Sequence, residues 1–298
     1  MVFHTRTLSD YLGLEILEAD LSNIDEPSFE SIRALWQRHP LLLLRRQTPT
    51  DEEFLGFCRR FGEIDVVIGG SRPSTRNPEL LYISNLLSSD GRPLGGLGNN
   101  ELVWHTDQIY REKPASGSIF YGVEMPPGTG KTSFCNTAAA YDALPHRLKN
   151  RVDHLKSICR YGTKKPLSTL MRGQIDKTWR RSVKSQEELK VIEKRTPPVS
   201  HQMVLESKIT GQKSLYFSPN HTESIEGLDK DQGQELIDEL IENTIRDDFI
   251  YVHDWRNGDI ILWDNARLLH RRDGFDNTLP RFAKRASVFM DPNYFAVP

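Results

Sequence analysis

Cysteine is scarce, with 3 in 298 residues (Cys58, Cys135 and Cys159). They form no C-x-x-C pair, and an odd number leaves one over, so a disulfide framework is not expected and a reducing cytoplasm is the default compartment. Any metal must then be held by histidines and carboxylates. Long apolar runs are also missing. The longest, Leu41–Leu44, is far short of the roughly 20 residues a membrane span needs. The opening Met1-Val2-Phe3-His4-Thr5-Arg6 has no apolar stretch of the kind a secretion signal carries. Charge of one sign is lacking as well. A net charge of −2 provides no basic field for nucleic acid or an anionic membrane, so neither is expected as a partner. No solenoid-length repeat and no low-complexity tract is present.

What is there reads as one ordinary soluble domain, 1–298, large enough to bury a substantial core. Pro27–Arg38 predicts an amphipathic helix with Phe29, Ile32, Leu35 and Trp36 on one face. Leu41–Leu44 predicts a buried strand. Thr50 can cap a helix that opens on Asp51, Glu52 and Glu53 and ends at Gly62. Between Ile68 and Asn100, glycine, serine, proline and asparagine predict a long loop. Strands are expected at Ser118–Val123, Ser133–Asn136, Met203–Lys208, Ser214–Phe217, Ile250–Trp255, Asp259–Trp263 and Lys284–Met290. Helices are expected at Tyr141–Asn150 and Asp231–Ile245, with a charged helical insertion over Ser168–Lys194, around residues 165–200. Short strands on both sides of helical insertions predict a mainly β fold with helical embellishments, with a jelly-roll core (a double-stranded β-helix) as the architecture.

The segment Pro126-Pro127-Gly128-Thr129-Gly130-Lys131-Thr132 imitates a phosphate-binding P-loop and brings an ATPase into consideration. That motif needs a glycine five residues before Gly130, where this chain has Met125. It also needs a helix to follow, whereas Ser133-Phe134-Cys135-Asn136 reads as strand. A hairpin turn is the simpler expectation.

Trp104-His105-Thr106-Asp107 carries more. On a strand, residues two apart share a face, so His105 and Asp107 would project together while Trp104 and Thr106 face away. One imidazole and one carboxylate can hold a divalent metal from one side. A second histidine would complete a two-histidine, one-carboxylate set that leaves coordination positions open. Alone, the triplet is a weak signal, since a surface histidine bonded to an aspartate is the commoner explanation. Of the other histidines, His146 and His154 fall on polar helical stretches and His201 on an expected loop. His221 and His253 carry some weight. His270 has the strongest context, following Ile260–Trp263, the turn Asp264-Asn265 and the run Leu268-Leu269, with Arg281 at the eleventh residue beyond it and Arg285 at the fifteenth.

With these positions the chain resembles the taurine dioxygenase (TauD/TfdA-like) family of Fe(II)/2-oxoglutarate-dependent dioxygenases over nearly its whole length. Arg59-Arg60-Phe61-Gly62-Glu63, the H-x-D at His105 and Asp107, and Ala139-Ala140-Tyr141-Asp142-Ala143-Leu144-Pro145 carry the likeness. So do Gly258-Asp259, Trp263-Asp264-Asn265, His270 and Arg281. The resemblance implies that His105, Asp107 and His270 hold Fe(II). It implies that Arg281 and Thr132 bind the distal carboxylate of 2-oxoglutarate, for which a guanidinium fork is well shaped. Thr132 stands twenty-seven residues after His105. The alternative for Thr132 is an exposed turn. For Arg281 and Arg285 it is a solvated charge cluster with Arg271, Arg272 and Lys284.

The implied reaction consumes O2 and 2-oxoglutarate, releases succinate and CO2, and oxidises a C–H bond of a small organic substrate. A carboxylate in the ligand set favours hydroxylation, desaturation or ring formation over halogenation. Arg285 matches a position that holds an anionic group of the substrate in taurine-type enzymes. Glu101 and His221 depart from the taurine enzyme's asparagine and aromatic residue at those places. They direct the expectation away from taurine, toward a larger or less anionic molecule such as a natural-product intermediate. A dimer or tetramer is expected by analogy. A P-loop-like ATPase and a non-catalytic jelly-roll binding protein remain as other classes.

Overall fold

The fold follows from which residues alternate and which recur at helical spacing. The structure, a computed structural model, describes residues 3–66, 77–161, 187, 194 and 196–298. β1 (Thr5–Thr7) and β2 (Leu14–Ile16) precede α1 (Glu26–Arg38), β3 (Leu41–Leu44) and α2 (Asp51–Arg59). Then come β4 (Gly62–Ile64), β5 (Leu81–Ser84), β6 (Gly96–Leu97), β7 (Leu102–His105), β8 (Gly117–Glu124) and β9 (Thr132–Asn136). α3 (Thr137–Ala143) and α4 (His146–Val152) lead to β10 (Lys156–Cys159). β11 (Val199–Gln202), β12 (Val204–Glu206), β13 (Lys213–Leu215), β14 (Thr222–Ile225) and α5 (Lys230–Thr244) follow. The last strands are β15 (Ile250–His253), β16 (Asp259–Asp264), β17 (Leu268–Arg272) and β18 (Phe282–Met290).

Two sheets organise the site. The larger runs β1-β2-β3-β16-β8-β18-β5-β6, with β4 also on β18, and the smaller runs β15-β9-β17-β7. Strand alternation decides what each face meets. Leu41, Leu43, Ile261 and Trp263 of the larger sheet pack with Phe134 and Leu268 of the smaller one, and the Phe134 and Trp263 rings stand 5.6 Å apart. The alternate residues Leu42, Leu44, Ile260 and Leu262 turn outward against Phe29, Ile32 and Trp36 of α1 and Phe54 and Phe57 of α2. Behind the smaller sheet, Cys135 and Leu269 meet α3, α4 and α5 through Ala140, Leu148, Leu236 and Leu240. The result is two sheets face to face with helices outside both, the arrangement that covers every apolar face. Among the described residues no helix is long and apolar enough to cross a membrane.

Local signals placed α1 and α2. Asp25 accepts a hydrogen bond from the Ser28 amide, and Thr50 and Glu53 form a reciprocal capping box at the start of α2. Several expectations need correction. The expected Tyr141–Asn150 helix is two helices separated at Leu144-Pro145, because proline cannot supply the amide that would continue the first. The expected loop from Ile68 contains β5, which pairs with β18, while its first part, through residue 76, lies outside the described residues. The Pro126–Lys131 turn is not a hairpin, since β8 and β9 belong to different sheets. His201 lies on β11, buried against Tyr216, and not on a loop. Of the insertion expected over 165–200, the stretch to residue 195 lies outside the described residues except Glu187 and Lys194.

The β16–β17 turn is fastened by one buried arginine. Arg267 Nε donates to Asp264 Oδ2 at 2.8 Å, Nη1 to the Gln37 carbonyl at 2.9 Å and Nη2 to the Trp36 carbonyl at 2.7 Å. Those carbonyls lie in the last turn of α1, where no intrahelical donor remains for them. Burial raises the Asp264 carboxyl pKa, and the Arg267 guanidinium opposes the rise. Arg267→Ala is expected to cost about 3–5 kcal/mol, because it leaves Asp264 buried without a counter-charge. Thermal melting of the variant checks this, and a loss under about 1 kcal/mol would contradict it.

Candidate active site

The metal-ligand candidates come from two neighbouring strands. On β17 the residues alternate so that Leu269 faces the helices and His270 faces the inter-sheet space. His270 lies opposite His105 of β7 in the ladder. The next matched pair is Arg272 with Leu102, so β7 carries one more residue than β17 over that interval. Such a bulge re-aims a strand, and it lets Val103 and Trp104 both pack against the helical layer while His105 faces inward. The strand ends at His105, and Asp107 is in the turn that follows, where Gln108 takes φ 57. Asp107 therefore reaches His105 from a turn, and not as the next-but-one residue of a continuing strand.

The ligand atoms of His105, Asp107 and His270 all lie within 4.8 Å of one another. Nε2 of His105 is 3.7 Å from Asp107 Oδ1, and Nε2 of His270 is 3.8 Å from Asp107 Oδ2. Nδ1 of His105 meets the Val103 carbonyl at 2.7 Å. An imidazole that donates there keeps its Nε2 lone pair for a cation. His270 is oriented by packing, with the Trp263 ring 5.1 Å away and Phe134 stacked at 6.2 Å. Burial, aided by the charge of His105, pushes the His270 pKa down to about 3, so its ring is neutral at physiological pH. Burial alone would raise the Asp107 pKa, but Arg285, His270 and His105 together hold it well below the usual carboxylate range. Two imidazoles and one ionised carboxylate form a donor set suited to a divalent transition metal.

Asp107 is held by more than proximity. Arg285 Nη1 donates to its Oδ2 at 2.9 Å and Ser118 Oγ at 3.2 Å. Asn265 Nδ2 donates to that serine at 3.1 Å while its Oδ1 accepts from Trp263 Nε1 at 2.8 Å. The Asn265 carbonyl accepts from Thr106 Oγ1 at 2.7 Å. This chain ties the Asp107 turn to the β16–β17 turn. Sequence reasoning had Asp264-Asn265 as a turn and as part of the family likeness, and Ser118 as the start of a strand, with no role at the site for any of them.

Two residues along β9 from Phe134, the ladder partner of His270, stands Thr132, and neither Thr132 nor Arg281 is an exposed turn or a solvated charge. They are 8% and 1% exposed. Trp255 Nε1 donates to Thr132 Oγ1 at 2.9 Å, so the threonine's own hydroxyl proton is left for an acceptor elsewhere. Arg281 Nη1 donates to the Gly130 carbonyl at 2.8 Å. Gly130 has φ +60, and a Cβ there would stand 2.6 Å from Arg281 Nη1. The glycine of the apparent P-loop thus makes room for an arginine. Burial first, then the charge of Arg272, lowers the Arg281 pKa to about 9.

Buried His221 forms a wall with the half-buried Tyr110 and Tyr161. The Tyr110 ring is 5.0 Å from His221 and 4.6 Å from Tyr161. Burial, with help from the His105 charge, lowers the His221 pKa to about 3. Burial raises that of Tyr110, and Tyr161 and Asp107 add to the rise. Glu101 is set apart. It is exposed and lines an open cavity of about 510 Å³ with Asn99, Thr129, Phe275 and Asp276. His253, weighed as a ligand, is buried away from the triad and pairs with Asp259 at 3.0 Å. Sequence reasoning missed Tyr110, Tyr161 and Arg272. Arg272 shares a face with His270 only because both lie on β17, a strand not expected from the sequence.

Residues 4–287 match the family described as taurine catabolism dioxygenase TauD, TfdA family. Pentalenolactone F synthase of Streptomyces arenae is 31% identical over 276 residues, covering 91% of this chain and 89% of its own. The alpha-ketoglutarate-dependent 2,4-dichlorophenoxyacetate dioxygenase of Cupriavidus pinatubonensis is 30% identical over 269 residues, covering 87% and 88%. Among solved structures, AAD-2 in complex with Mn(II) and N-oxalylglycine superposes with a TM-score of 0.75 at 25% identity, covering 100% of this chain and 98% of that one.

Proposed function

The chain belongs to the TauD, TfdA dioxygenase family, and on that premise we propose that its Fe(II) is held by His105, Asp107 and His270. It is an Fe(II)/2-oxoglutarate-dependent dioxygenase, an oxidoreductase that takes O2 and 2-oxoglutarate (alpha-ketoglutarate) and acts on a small organic substrate. Neither an ATPase nor a non-catalytic binding protein is favoured by these relatives. The observation that carries the metal assignment is the convergence of three ligand atoms of the right chemistry within 4.8 Å. When bound, the iron and 2-oxoglutarate supply the oxidising power, with succinate and CO2 as co-products. The residues of the chain orient, neutralise and exclude water.

Thr132 and Arg281 are assigned the distal carboxylate of 2-oxoglutarate, supported by a free hydroxyl proton and an arginine with no carboxylate partner among the described residues. Arg285 is assigned a double part. It compensates Asp107 at 2.9 Å, and its buried Nε, which has no partner, is available to an anionic group of the substrate. Tyr110, Tyr161 and His221 would then bracket a ring-bearing body. A small cyclic organic acid, such as a natural-product intermediate, fits that wall better than taurine does. Pentalenolactone F synthase and the 2,4-dichlorophenoxyacetate enzyme, named for ring compounds, are consistent with it. Hydroxylation, desaturation and ring formation are the outcomes compatible with a carboxylate ligand. Glu101, on the exposed cavity, is assigned the rim, where it disfavours highly anionic compounds.

We read residues 1–298 as a single domain with a jelly-roll core, supported by a family match that spans 4–287 and by two facing sheets. The cytoplasm is the compartment that fits three buried, unpaired cysteines, and a homodimer or homotetramer follows by analogy only. Anaerobic addition of Fe(II) and 2-oxoglutarate should produce the weak visible charge-transfer band of the chelate. A protein that binds both without that band would overturn the metal assignment.

A further inference from the structure

The geometry points to Arg272 as a second anchor for the distal carboxylate of 2-oxoglutarate, shared with Arg281 and tied through its other nitrogen to the Leu97–Asn100 loop. The inference rests on the co-substrate reading above and goes beyond it by naming a residue and a coupling.

Arg272 stands two residues after His270 on β17, opposite Thr132 in the ladder, and is 5% exposed. Its Nη2 donates to the carbonyl of Leu97 at 2.9 Å and to that of Asn100. Its Nε and Nη1 are buried and have no hydrogen-bond partner. The guanidinium lies 5.8 Å from the Phe275 ring, which Arg281 also flanks at 5.4 Å. Neither arginine has a carboxylate within ion-pair distance among the described residues. Arg281 too keeps a buried Nε without a partner. Two neighbouring buried cations, each with idle N–H groups, are costly unless an anion joins them. A carboxylate has two oxygens and about four acceptor positions, enough for both guanidinium groups and the Thr132 hydroxyl together.

The arrangement has a consequence for the loop. Arg272 can hold a carboxylate through Nε and Nη1 while Nη2 keeps the Leu97 and Asn100 carbonyls. The loop leads directly into β7, the strand that ends on His105. Co-substrate binding would therefore fix the entry to the metal-bearing strand. A simpler role, in which Arg272 only props the loop, uses Nη2 alone and leaves the other two nitrogens idle.

Anaerobic titration of the Fe(II)-loaded protein, read by the charge-transfer band, separates the two. 2-Oxoglutarate is compared with 2-oxopentanoate, which has the same chelating end and a methyl group where the distal carboxylate would be. Arg272→Gln is expected to weaken 2-oxoglutarate roughly 10- to 100-fold, the worth of a charge-assisted hydrogen bond. It should leave 2-oxopentanoate within about 2-fold, so the preference for the dicarboxylate contracts. If Arg272→Gln does not fold, Arg272→Lys supplies the same comparison, with a smaller contraction expected. Hydrogen exchange of residues 96–101 should slow on 2-oxoglutarate addition in the parent and not in the variant. Equal weakening of both ligands, or of neither, would overturn the proposal. Should the parent itself form no chelate, the co-substrate reading fails first, and this inference with it.

Discussion

Replacing Asp107 with alanine is expected to reduce substrate-triggered succinate release to background, a fall of at least about a thousand-fold. Loss of partners outside the ligand set typically costs 10–100-fold in metal affinity or activity, and here one of three ligands is removed. The same substitution leaves Arg285 unpaired. Its side chain is 14% exposed and its partner's 11%, so both charges have given up most of their hydration. Breaking such a pair from one side costs about 3–5 kcal/mol, much more than the pair is worth against an apolar replacement. Asp107→Ala should therefore melt earlier than the parent, and adding Arg285→Leu should recover much of the stability but none of the activity. Asp107→Asn separates the charge from the shape, since it keeps an oxygen to accept from Arg285 and Ser118. Succinate release, metal content and melting temperature measured on the three variants test the argument. Parent-like turnover in Asp107→Ala would remove Asp107 from the ligand set, and with it the pairing logic of Arg285.

What could be read without the structure was whatever depends on neighbours in sequence. Leu41–Leu44 is a strand with those bounds because four consecutive leucines suit a strand buried on both faces. The Thr50 cap is a matter of three residues. What could not be read depends on partners far along the chain. Gly130 looks like a phosphate-loop glycine because the motif is local, but its cause is an arginine 2.6 Å from where its Cβ would be. Arg272 reads as one of several solvated charges in the run His270-Arg271-Arg272-Asp273, and only the smaller sheet decides that Arg272 turns inward while Arg271 is half-exposed. The strand expected through Asp107 stops at His105 because the chain departs into a turn. The pairing of His105 with Asp107 survives that departure, since a turn brings a carboxylate back within 3.7 Å of the imidazole.

Acid should destabilise the metal-free protein steeply, beginning well above the carboxylate range. His221 and His270 are held neutral until about pH 3 by burial, whereas an unfolded chain protonates histidine near 6.5. Between those values the unfolded state binds protons that the folded state refuses. The stability these two residues contribute is thus complete above pH 6.5 and lost as pH falls toward 3. Each contributes a slope of up to about 1.4 kcal/mol per pH unit, and together they remove about 3 kcal/mol between pH 6.5 and 5. That is a large share of the 5–15 kcal/mol that ordinarily holds a protein folded. The depressed carboxyl pKa of Asp107 acts in the same direction, but only at lower pH, as that group is forced to protonate. Divalent metal should oppose the effect, because it binds the neutral imidazole of His270 and adds binding energy to the folded state alone. His221→Asn isolates one contribution without touching the ligand set. Denaturant melts of parent and variant across pH 5–7 should show a slope smaller in the variant by up to about 1.4 kcal/mol per pH unit. Parallel curves would mean that His221 titrates normally, and that the wall it forms with Tyr110 and Tyr161 is wet.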